Sequence, residues 1–141
     1  MATGAHVEAL DHTADVGLVV RADAPDVAFA AVAEAMVDIM VNREQVEEAE
    51  SWQVEVEADG WEDLLVTWLE EVLYRFEMDG LVPHSCHVDA ISPTHLLATL
   101  CGEHLDRDKH EMGVQIKAVT YHQLRAEETG EGFEIRVILD I

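Results

Sequence analysis

Apolar and polar positions alternate with two different periods along this chain, and the places where the period changes divide it into elements. Residues 6–22 read as a strand interrupted at His12-Thr13-Ala14, because Val16, Leu18 and Val20 recur at every second position. The period then lengthens. Phe29, Val32, Ala33, Met36, Ile39 and Met40 fall on one face of a helix that opens with Pro25 and Asp26 and should end near Asn42. Trp52, Val54 and Val56 alternate with Gln53, Glu55 and Glu57, as in a strand with one wet face.

A second helix is predicted directly after it. Trp61, Leu64, Leu65, Trp68, Val72 and Phe76 make its stripe, and Asp59 followed by Glu62 has the form of a capping box. Tryptophans at helical spacing read as core rather than as a binding platform. The rest of the chain alternates with period two over 84–91, 95–102, 113–125 and 133–141, punctuated by Met78-Asp79-Gly80, Ser92-Pro93 and Thr129-Gly130-Glu131-Gly132. The predicted order is β-α-β-α-β-β-β-β. Early helices and late strands imply an α+β fold, two amphipathic helices packed on a mixed or antiparallel sheet. With no linker, repeat or low-complexity segment, residues 1–141 read as one domain.

Charge alters this picture more than composition does. Thirty acidic residues against eight basic ones give a formal net charge of −22, and the lysines are Lys109 and Lys117 alone. Such a surface repels phosphate backbones and disfavours unassisted nucleic-acid binding. The acids are spread over a chain whose apolar periodicity is intact, so halophile-like solubility explains them better than a disordered acidic tail; a face made for a basic protein partner is the sharper alternative. No apolar run reaches the ~18 residues of a membrane span, and Met1-Ala2-Thr3-Gly4 lacks the look of a signal peptide, so a cytoplasmic protein is expected.

Cys86 and Cys101 form no C-x-x-C and are expected as structural thiols. A zinc site drawn from His84, Cys86, His87, Cys101 and His104 is a weaker alternative, since the spacings match no closed zinc module.

Carboxylates concentrate in strand-like sequence at the two ends. Asp11-His12-Thr13-Ala14-Asp15 lies near the start, and Val137-Ile138-Leu139-Asp140-Ile141 closes the chain. In the last strand Phe133, Ile135, Val137, Leu139 and Ile141 share one face, leaving Glu134, Arg136, Ile138 and Asp140 on the other. Asp15 has the parity of Gly17, Val19 and Arg21. If the terminal strands pair, Asp15 and Asp140 share the outward face, with the carboxylate of Ile141 adjacent. Hard oxygens of this kind suit Ca²⁺, Mg²⁺ or Mn²⁺, and His12 would add affinity for Mn²⁺ or Zn²⁺. The plainer reading keeps Asp11 and Asp15 as turn residues bonded to nearby amides, with His12 a structural histidine. A second polar concentration, Gly102 through Glu111, is the long connection of the chain and contains Asp106, Lys109 and His110.

Taken together, the run Asp11 to Leu18, the block Gly102-Glu103 to Asp106, Lys109 and His110, the run Lys117-Ala118-Val119-Thr120-Tyr121-His122 and the ending Leu139-Asp140-Ile141 resemble the archease family. The resemblance extends over essentially the whole chain, including the Ala-Met end of the first helix and Leu64-Leu65-Val66-Thr67-Trp68-Leu69-Glu70-Glu71 of the second. It implies a non-catalytic accessory protein of the RtcB-type RNA ligase in tRNA splicing, one that promotes the ligase's guanylylation and repeated turnover. It also implies a divalent metal, Ca²⁺ first with Mg²⁺ or Mn²⁺ as alternatives, on Asp15, Asp140 and the Ile141 carboxylate, with His12 as a further candidate. Asp106, Lys109 and His110 are the candidates for touching the ligase. Rival readings from other classes are a chaperone or modulator of an RNA-modifying enzyme and a metal-dependent hydrolase. The hydrolase lacks a dedicated base, nucleophile or phosphate-cradling loop in this sequence.

Overall fold

The computed structural model describes residues 4–11 and 15–141, which form two helices and seven strands. The segment expected as one interrupted strand is instead a hairpin of β1 (His6–Asp11) and β2 (Asp15–Ala22), with His6 opposite Arg21 and Asp11 opposite Val16. Alternation cannot separate one broken strand from two that turn back on each other; backbone pairing decides it. The element order is thus β-β-α-β-α-β-β-β-β, completed by α1 (Pro25–Met40), β3 (Glu50–Glu57), α2 (Trp61–Asp79), β4 (Leu81–Ser92), β5 (His95–His104), β6 (Ala118–Thr129) and β7 (Gly132–Asp140).

The strands make two antiparallel sheets, one in the order β1-β2-β7-β6 and the other β3-β5-β4. Each helix touches both. α1 packs on β2 and β7 of the first sheet and β4 of the second, while α2 packs on β6 and on β3, β4 and β5. The apolar stripes of the helices therefore fill the space between the inner sheet faces, the α+β arrangement expected from the pattern.

An aromatic cluster joins the layers. Phe29 of α1, Trp61 of α2 and Phe133 of β7 have ring centroids 4.9–5.9 Å apart, and the buried Trp68 indole N–H donates to the Phe29 carbonyl at 2.9 Å. Trp68 is accordingly a core residue, and Trp61, partly buried, packs against the core.

The helix ends differ from expectation. α2 is capped by Gly60 with no side-chain cap bond, so Asp59 is not the cap, and it ends on Gly80 in the left-handed conformation at φ 66°. α1 stops at Met40 because Val41 is extended. Its last carbonyls are satisfied from far along the chain: Gly113 N–H donates to the Met40 carbonyl and Val114 N–H to the Ile39 carbonyl, each at 2.8 Å. Residues 113–117, expected as the start of a strand, are thus an irregular strap laid on the end of α1, and β6 begins only at Ala118.

Candidate metal centre and polar loop

Pairing of β2 with β7 makes the chain's two end strands neighbours, in a register that sets Asp15 directly opposite Asp140. β7 lies inside its sheet. On its other side Ala118 faces Asp140, and the Lys117 amide donates to the Asp140 carbonyl at 2.7 Å. The backbone that carries Asp140 is therefore held from both sides, which gives its side chain a rigid base.

The parity expected for β7 holds: Phe133, Ile135, Val137 and Leu139 are buried in the main core. The opposite face is drier than expected. Val19 and Ile138, which share it with Asp15 and Asp140, are 2% and 4% exposed yet stand outside the main core cluster, and both aspartates are half-buried. Directly opposed side chains on antiparallel strands have Cβ atoms about 5 Å apart, and like charges so placed repel. A hard cation between them would remove that repulsion, so the donor chemistry fits a divalent ion.

Among the described residues, no group of three or more His, Cys, Asp or Glu side chains is placed to hold a metal. The set expected here has two carboxylate side chains, with a main-chain carboxylate at Ile141 as its third member. His12 lies outside the described residues.

The zinc alternative finds no support in this arrangement. Cys86 is buried, and burial, then the nearby Glu34 carboxylate, push its thiol well above the usual range. The imidazoles nearby have other partners: His84 Nδ1 lies 3.0 Å from the Arg43 carbonyl and His104 Nδ1 3.1 Å from Glu50.

The polar loop is organised around Glu103 near the end of β5, a residue of the Gly102-Glu103 motif that was not among the expected contact residues. Its carboxylate accepts from the Glu47 amide at 2.9 Å, from Lys109 Nζ at 2.9 Å and meets His110 Nε2 at 2.8 Å. These donors, the Glu47 amide first, hold the Glu103 carboxyl at about 2. Lys109 in turn is bonded to Glu47 at 2.8 Å, and Glu47 followed by Glu103 raises its ammonium above the ordinary value.

His110 is 1% exposed, the buried polar side chain among the described residues. Its Nδ1 accepts the Asp106 amide at 3.0 Å, which leaves the ring proton on Nε2 to be donated to Glu103. Asp106 accepts the Asp108 amide at 3.0 Å, and its carbonyl takes the amides of Lys109 and His110. Of the three residues expected at a contact surface, Asp106 and part of Lys109 reach solvent, whereas the His110 ring pins the turn from beneath. Glu103 belongs to the Gly102-Glu103 motif, but Glu47 carries no sequence signal of its own, being one carboxylate among thirty acids.

The sequence profile of the archease protein family matches residues 8–141. "Protein archease" of Thermococcus gammatolerans is 41% identical over 129 residues, covering 89% of this chain and 90% of that protein. The protein of the same name from Methanosarcina mazei is 33% identical over 98% of this chain and 97% of its own length. In structure, the chain is similar to Methanobacterium thermoautotrophicum protein 1598, solved in solution, with a TM-score of 0.77 and 30% identity over 96% of this chain and 98% of that one. No helix here is long and apolar enough to cross a membrane. On the extent of these matches and on the paired strands that carry the motif aspartates, the chain belongs to the archease family.

Proposed function

We propose that this protein is a non-catalytic accessory factor that binds a divalent cation through Asp15, Asp140 and the Ile141 carboxylate and activates an RtcB-type RNA ligase in tRNA splicing. The observation that carries the proposal is the register that sets Asp15 opposite Asp140, in a chain that belongs to the archease family. When bound, the ion would supply positive charge for the phosphates that the ligase handles during guanylylation. The chain's own residues do the positioning. β7 fixes the Asp140 backbone between β2 and β6, and Glu103, Lys109 and His110 hold the loop that presents Asp106 to the ligase. Ca²⁺ is the first candidate ion, with Mg²⁺ and Mn²⁺ the alternatives, because all the proposed donors are oxygens.

The test is guanylylation of the purified cognate ligase, with and without this protein, alongside calorimetric titration with Ca²⁺, Mg²⁺ and Mn²⁺. Asp15→Ala and Asp140→Ala should each weaken metal binding and ligase stimulation by roughly 10- to 100-fold while leaving the fold intact. Extension of the chain beyond Ile141 should do the same. Wild-type stimulation by either aspartate variant would refute this use of the site.

A further inference from the structure

Two exposed apolar side chains, Met112 and Val114, line one cleft of this molecule. Of the six large hydrophobic side chains exposed among the described residues, Tyr74 and Met78 lie on the C-terminal half of α2, and Met112 and Val114 lie on the strap between the polar loop and β6. Between those two segments runs an open cleft of about 440 Å³, walled by Leu73, Phe76, Leu105, Met112, Val114 and Ile116. The strap is no loose loop, since its amides cap α1 and Val41 forms a bridge with Met112. An apolar cleft with fixed walls and methionine at its lip has the character of a surface that accepts a side chain from outside.

Charge selects the occupant. The α2 wall is acidic: Glu77 lines the cleft, Asp79 is exposed beside the lining residue Gly80, and the one basic residue of α2, Arg75, is tied to Glu71 at 2.8 Å. The opposite wall carries a single cation, Arg107. Nucleic acid is disfavoured by a net charge of −22, and a second copy would press one acid-rimmed cleft against another. The complementary partner is a protein segment that inserts a bulky apolar side chain, with lysine or arginine on the flank that meets α2 and a polar or acidic residue toward Arg107.

We infer that the cleft between α2 and the 112–116 strap is the docking surface for such a basic-flanked apolar segment of the RNA ligase, an inference that rests on the function proposed above. Docking here is linked to the candidate metal centre through the chain and one backbone hydrogen bond. The strap continues into Lys117, whose amide is bonded to the Asp140 carbonyl.

Binding of the full chain to the purified cognate ligase, measured by calorimetry together with guanylylation, tests this. Val114→Asp and Glu77→Lys change exposed side chains and should keep the wild-type melting temperature and metal titration, yet each should weaken ligase binding by about tenfold or more. The loss from Glu77→Lys should shrink as salt rises. Val7→Asp, on β1 and exposed, is the control and should bind as wild type. Wild-type affinity in both cleft variants would overturn the docking surface while leaving the ligase reading intact. A wild-type protein that neither binds nor stimulates the ligase would overturn both. Loss of self-association in Val114→Asp, seen by sedimentation with ligase binding unchanged, would assign the cleft to a second copy and refute the inference.

Discussion

At the level of single residues, Glu103 sets the behaviour of the polar loop. A carboxyl held down by an amide, an ammonium and an imidazole stabilises the fold when ionised, so its contribution is complete above its ordinary value and fades as pH falls. Ionisation of Glu103 should therefore follow a midpoint of about 2 in carbon-13 NMR, against 4.5 for an unperturbed glutamate, and a midpoint near 4.5 would refute the network. Lys109 has the opposite sign. Its raised value keeps its contribution intact below 10.5 and loses it only as pH climbs through a higher folded value, so the two groups leave a plateau across neutral pH. Lys109→Gln should move the Glu103 midpoint upward. Lys109 and His110 were legible as chemistry because lysine is scarce here and imidazole is distinctive. Glu47, which contacts Lys109 from 62 residues away, was not, because only folding brings the side chains of two loops that far apart in sequence together.

Among the elements, the strap of residues 113–117 departs furthest from the pattern. Its alternation is that of a strand, yet the amides of Gly113 and Val114 are committed to the carbonyls of α1 and are not free for a sheet at those positions. Gly113 makes this contact feasible: a Cβ there would lie 2.3 Å from the Ile39 carbonyl oxygen. Gly113→Ala should cost about 1–3 kcal/mol in urea unfolding, whereas Gly130→Ala, with nothing within 4 Å of its Cβ, should stay within about 0.5 kcal/mol. Equal effects at the two glycines would show that the strap is not held this closely. The helices were legible for the converse reason. Phe29, Val32, Ala33, Met36 and Met40 in α1, and Leu64, Leu65, Trp68 and Val72 in α2, are buried at the positions their period assigns, because a long amphipathic stripe has one economical way to leave water.

For the molecule as a whole, the large negative charge sits outside the core. No described Asp or Glu is buried, so the 30 acids against 8 bases repel one another across the surface of a conventional apolar interior. Screening should raise stability: the melting temperature should climb on the order of 5 °C between low and molar KCl. A midpoint indifferent to salt would count against surface repulsion as a determinant of stability. The sequence by itself determined the α+β class, the two helices, the parity of β7 and the family, because period and motif are local properties that one chain carries in full. Only the tertiary structure decided that 6–22 is a hairpin, that Asp15 stands opposite Asp140, that Glu103 gathers Lys109 and His110, and that a cleft opens between α2 and the strap. Each of these depends on which segments hydrogen-bond and pack together across long separations, and that choice is made by the whole chain burying its apolar faces at once.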